Sequence, residues 1–105
     1  MQIKNITVLS LTGKIDELSG EQLDEYLKSQ VHKGNVKLIL DFTNVDFTSS
    51  GGLRSLLGSI KLMRTNGGDI LLANTSPLVH NILKTDGFID LLKIFSDVDS
   101  ALTNF

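Results

Sequence analysis

The stretch VKLILDF at 36–42 is short and almost unbroken in apolar residues. A run of that kind marks a strand covered on both faces, because a half-exposed strand would alternate with polar residues. DILLAN at 69–74 repeats the pattern and reads as a second central strand. ITVLSL at 6–11 reads as a strand that Met1 to Ile3 can join across a turn at Lys4-Asn5, and LLKIF at 91–95 reads as a last strand.

The segments between these runs carry helical spacing. Ser19 with Gln22 forms a capping-box pattern ahead of Leu23, Tyr26, Leu27 and Val31, and Gly34 supplies the stop. A helix is predicted from about Ser50 to Asn66, with Leu53, Leu56, Leu57, Ile60 and Met63 inward and Asn66-Gly67-Gly68 ending it. Ser76-Pro77 opens another that buries Leu78, Val79, Ile82 and Leu83 and stops at Gly87. Ser96 with Asp99 caps a short closing helix. Strands alternating with helices over short connections mean an α/β domain with a largely parallel or mixed sheet. The reading is of one domain over residues 1–105, without repeat or linker.

Composition removes several function classes. The chain has no cysteine, so disulfides and thiolate metal sites are excluded. A net charge of −2 with scattered Lys and Arg argues against a nucleic-acid surface. No apolar run approaches the ~20 residues of a membrane span, and MQIKNITVLSL lacks a basic n-region. The expectation is a cytoplasmic protein with no direct membrane insertion. His32 and His80 point away from the apolar stripes of their helices and lack neighbours at metal-ligand spacing. There is no GxGxxG, Walker A or GxSxG pattern. No enzyme activity, cofactor or metal is expected. Asp16, Glu17, Glu21, Asp24 and Glu25 cluster without a base among them, as a solvated helix start or a docking patch.

The candidate site is DFTSSGGLR at 46–54, predicted to be a loop between the strand ending at Phe42 and the following helix. In parallel sheets, sites gather where strand ends lead into helices. Ser49 and Ser50 fall at a helix N-terminus, where unpaired N–H groups and the positive dipole end favour an anion. A serine there can cap the helix, hold a phosphate or accept a phosphoryl group. Asp46 and Asp16 lie on the same rim, so a phosphate would make that surface more negative.

LILDFTNVDFTSSGGLRSLL resembles the signature of STAS domains, the family that contains the bacterial anti-sigma-factor antagonists. GKID at 13–16, and Asn66-Gly67-Gly68 followed by an apolar strand and Ser-Pro, are similar to other parts of the family pattern. The resemblance implies a mixed sheet of four or five strands with helices mainly on one face. It also implies an antagonist that binds an anti-sigma factor, itself a serine kinase, and so releases a sigma factor. That kinase phosphorylates one loop serine and ends the complex, and a metal-dependent, PP2C-type phosphatase resets it. Alignment through Gly52-Leu53 places the acceptor on Ser50, with Ser49 as rival, and the hydroxyl of Ser50 is expected to be free of any side-chain base. The family often has Asp before the acceptor; here that position is Ser49.

A partner surface is expected at Asp16, Asp46, Thr48, Ser49, Gly51, Arg54, Ser55, Gly58 and Leu62. Leu62 is predicted opposite the core stripe, exposed among Ser55, Gly58, Ser59 and Thr65. STAS domains also serve in lipid-transport ABC complexes and as modules on anion transporters. A transport subunit and an anion sensor therefore stand as alternatives.

Overall fold

The computed structural model describes residues 2–3 and 5–105. Its elements are β1 (Gln2–Ile3), β2 (Ile6–Ile15), α1 (Glu17–His32), β3 (Lys37–Thr48), α2 (Ser50–Thr65), β4 (Asp69–Ala73), α3 (Pro77–Thr85), a 3-10 turn (Ile89–Leu91), β5 (Lys93–Phe95) and α4 (Val98–Leu102). The sheet order is β1-β2-β3-β4-β5, with β1 antiparallel to β2 and the other pairs parallel. The strand order advances in one direction, so crossovers of one hand all fall on one face. Leu38, Leu40 and Phe42 of β3 accordingly pack with Leu27 of α1, Leu53, Leu56, Ile60 and Met63 of α2, and Val79 and Leu83 of α3. Ile39, Leu71 and Ala73 face the other way, against Ala101 of α4. The central strands are thus buried on both faces, as their apolar runs require.

Several boundaries differ from the sequence reading. Asp16, not Ser19, caps α1: its carboxylate accepts from the Ser19 N–H (3.0 Å) while the Ser19 hydroxyl accepts from the Asp16 N–H (2.9 Å). Ser19 is therefore the inner member of the capping box. Tyr26 sits at the edge of the α1 stripe and is exposed. Leu78 is 54% exposed, since α3 turns its first residues outward and buries Val79 and Leu83. The last strand is only Lys93–Phe95, preceded by the 3-10 turn, and Asp97 rather than Ser96 caps α4. Of the predicted N-terminal hairpin, Gln2 and Ile3 pair with Thr7 and Ile6, while Met1 and Lys4 lie outside the described residues.

The segment after Phe42 is not a loop. β3 pairs with β4 only as far as Asp41↔Ala73, but it stays paired with β2 to Ile15↔Thr48. A two-stranded ribbon therefore projects beyond the sheet. Its register shifts between Ser10 and Thr12 and again between Gly13 and Lys14, and bulges of this kind strengthen twist and re-aim a strand. Gly13, at φ +80°, occupies one of them. Where the ribbon leaves the sheet, the Asp41 carboxylate accepts from the Thr43 N–H, the Thr43 hydroxyl and the Asn74 amide. Burial acts to raise the Asp41 pKa, but these hydrogen bonds outweigh it and hold the group below its ordinary value.

Candidate functional site

The ribbon delivers the chain to the start of α2, and the two adjacent serines there have different work. Ser49 is the N-cap: its hydroxyl accepts from the Gly52 N–H at 3.1 Å, and its own N–H donates to the Ile15 carbonyl at 2.8 Å. It is half-buried and fixed between β2 and α2. Ser50 is the first helical residue and is exposed. Its hydroxyl donates to Oδ2 of Asp86 at 2.6 Å. This departs from the expectation of a hydroxyl free of any side-chain base. The base comes from the C-cap of α3, where Gly87 at φ +76° turns the chain away.

Between the tip of β3, the start of α2 and the flank of α3 lies an open cleft of about 440 Å³, lined by Phe47, Ser49, Ser50, Asn81, Ile82 and Asp86 among others. Phe47 is 43% exposed at its mouth. Thr48 also lines the cleft but is 1% exposed, so its side chain belongs to the interior; its hydroxyl has no hydrogen-bond partner among the described residues. Asp46 is exposed on the ribbon. Asp16 follows the Ile15 carbonyl that holds Ser49, but its carboxylate serves as the α1 cap. The Ser19 N–H, followed by the Ser19 hydroxyl, holds the Asp16 carboxyl below its ordinary value.

The other flank of α2 is closed. A Cβ on Gly52 would lie 2.5 Å from the Ile15 carbonyl oxygen, so only glycine allows this approach. A Cβ on Gly20 of α1 would meet the Gly52 Cα at 3.0 Å and the Ser55 Cβ at 3.5 Å. Ser59 is 2% exposed, and its hydroxyl donates to Asp24 of α1 at 2.6 Å. Of the small residues expected around an outward leucine, Ser55 and Ser59 therefore receive α1 itself. Leu62 is half-buried, not fully exposed, and the outward line of α2 runs instead through Arg54, Gly58, Lys61 and Thr65. A side chain at Gly51 would collide with Glu17 of α1, its Cβ 2.6 Å from the Glu17 Cγ.

The sequence reading missed Phe47, Asn81, Ile82, Thr85 and Asp86. An aromatic residue set among polar ones just before the serines could have drawn attention to Phe47. Nothing local connects Asp86 to a serine 36 positions earlier.

Comparison with known proteins decides the family. The STAS domain profile matches residues 1–101. The chain belongs to the STAS domain family. This STAS domain is 29% identical over 104 residues to BtrV of Bordetella bronchiseptica, a candidate anti-sigma factor antagonist, covering 99% of the chain and 90% of the relative. It is 24% identical over 101 residues to the anti-sigma F factor antagonist of Paenibacillus polymyxa, covering 95% and 86%. A crystal structure of a candidate anti-sigma factor antagonist from Thermotoga maritima superimposes with a TM-score of 0.91 at 16% identity, over 99% of this chain and 90% of that one. The Bacillus protein SpoIIAA in its phosphorylated form gives a TM-score of 0.73 at 21% identity, over 99% and 94%. Among the described residues, no helix of this STAS domain is long and apolar enough to cross a membrane.

Proposed function

We propose that this STAS domain is an anti-sigma-factor antagonist, and that phosphorylation of Ser50 switches it off. It binds an anti-sigma factor that is also a serine kinase, and so releases a sigma factor. Ser50 accepts the phosphoryl group; a PP2C-type phosphatase removes it. The observation that carries this reading is the division of labour between the serines. Ser49 is spent on the cap, whereas Ser50 presents an exposed hydroxyl at the head of a long helix. A phosphate on Ser50 brings about −1.5 to −2 charges to a helix start that tolerates an anion. The relatives named as anti-sigma factor antagonists, which this chain matches over nearly its whole length, support the same partner class.

The partner surface in this reading comprises the ribbon tip at Asp46, the Ser49–Gly51 start of α2 with Asp16 beside it, and the outer line of α2 through Arg54 and Gly58, with Leu62 at its edge. An added dianion there repels an acidic partner surface and occupies contact space. The test is incubation with the cognate anti-sigma factor and ATP, followed by phosphopeptide mapping. Phosphate on Ser50, abolished by Ser50→Ala and retained in Ser49→Ala, is expected. Phosphate on Ser49 alone would move the acceptor. No phosphate on either serine, with co-purification of a permease and its ATPase, would replace this reading with that of a transport subunit.

A further inference from the structure

The Ser50–Asp86 hydrogen bond links the start of α2 to the end of α3 across the mouth of the 440 Å³ cleft. Ser50 Oγ is the donor in it. Phosphoryl transfer from a nucleoside triphosphate breaks the terminal P–O bond of the nucleotide and joins phosphorus to Ser50 Oγ. The nucleoside diphosphate and the hydroxyl proton leave. The donor is then gone, and an anion stands where it was, beside a carboxylate that accepts hydrogen bonds and offers none.

We infer that Asp86 is the residue through which a phosphate at Ser50 acts on the fold: the hydroxyl–carboxylate bond that ties α3 to α2 becomes a contact between two anions, and the cleft between the helices opens. The inference rests on the reading of Ser50 as the phosphoacceptor. Asp86 is suited to it by position. It is the C-cap of α3, its N–H donates to the Ile82 carbonyl at 3.0 Å, and Gly87 follows at φ +76°. Repulsion there acts on the last turn of a short helix, where few bonds resist it. The opposite flank of α2 cannot yield in the same way, because Gly52 and Ser59 hold it against β2 and α1. Opening therefore falls on the α3 side, and it exposes Ile82 next to Phe47.

Charged and titratable residues on the segments that meet at Ser50 include the α1 cap Asp16 with Glu17, Lys14 and Asp46 of the ribbon, Arg54 one turn along α2, and His80, Lys84 and the C-cap Asp86 of α3. Arg54 and the helix N–H groups favour the phosphate dianion whether or not Asp86 is present. A comparison with Asp86→Asn therefore isolates Asp86. The variant keeps the size of the side chain and leaves the C-cap backbone unchanged.

The experiment uses the full chain carrying phosphoserine encoded at position 50, so that no kinase is needed, with and without Asp86→Asn. Phosphorus NMR titration reads the second ionisation of the phosphate, and amide exchange reads the last turn of α3. With Asp86 present, the ionisation is expected to be higher by roughly half a unit or more, and the difference should shrink in 1 M salt. Phosphate should speed exchange of the Asp86 amide in the parent chain and much less in Asp86→Asn. Identical ionisation in the two proteins, or exchange unmoved by the phosphate, would overturn the inference while leaving the switch itself standing. A kinase that never modifies Ser50 would remove the reading on which the inference rests, whatever the titration shows.

Discussion

The two flanks of α2 are built on opposite principles. Toward α1 the backbones touch: Gly20 meets Gly52, Ser55 packs beside them, and the buried Ser59 hydroxyl reaches Asp24. Toward α3 there is an open cleft with one side-chain hydrogen bond across its mouth, Ser50 to Asp86. A helix held this way has a rigid side that fixes where its N-terminus points, and a loose side that can respond to what happens there. The serine that faces the loose side is the exposed one. Its neighbour on the rigid side is a cap.

The sharpest break in this contrast would come at Gly52. A methyl group there meets the Ile15 carbonyl at 2.5 Å. Gly52→Ala should therefore destabilise the fold by roughly 1–3 kcal/mol as an overpacked contact, despite the ~1 kcal/mol that Ala ordinarily adds over Gly in a helix. Denaturant unfolding checks this; a neutral or stabilising result would mean that the α1 flank is looser than described.

Ser59→Ala comes next in size. It removes a hydrogen bond to a carboxylate inside the seam and should cost roughly 1–2 kcal/mol at pH 7. Burial acts to raise the Asp24 pKa, but the Ser59 hydroxyl and Lys28 hold it below its ordinary value of about 3.8. A carboxyl whose pKa is lowered by folding contributes stability that is present above its unfolded pKa and lost as pH falls through the folded one. The cost of Ser59→Ala should therefore be larger at pH 7 than at pH 3. Equal costs at both pH values would show that Asp24 is not the acceptor that matters.

Ser50→Ala should have the smallest effect, within about 0.5 kcal/mol, because it removes one exposed hydrogen bond on the open flank. A loss as large as that of Ser59→Ala would erase the distinction between the two sides of the helix.

The inward face of α2 was legible in the sequence. The inward residues Leu53, Leu56, Leu57, Ile60 and Met63 are all buried as helical spacing predicts. The Ser76-Pro77 start of α3 and the two central strands also lie where their patterns put them. What escaped was tertiary. Thr43 and Asn44 break the apolar run of β3, yet the chain stays a strand through Thr48 because β2 pairs with it across two register shifts. Such pairing depends on a distant segment that local pattern does not report. The small residues of α2 look in sequence like an opening for an outside partner, but α1 claims Ser55 and Ser59 first. Asp86 had the plain appearance of a helix end before glycine, and only the fold brings it to Ser50.

Affinity for the cognate anti-sigma factor, measured by calorimetric titration before and after stoichiometric phosphorylation of Ser50, tests the central claim most directly. The unmodified protein is expected to bind, and the phosphorylated protein to bind at least about tenfold more weakly, a difference of about 1.4 kcal/mol or more. Equal affinity in the two forms would contradict the account.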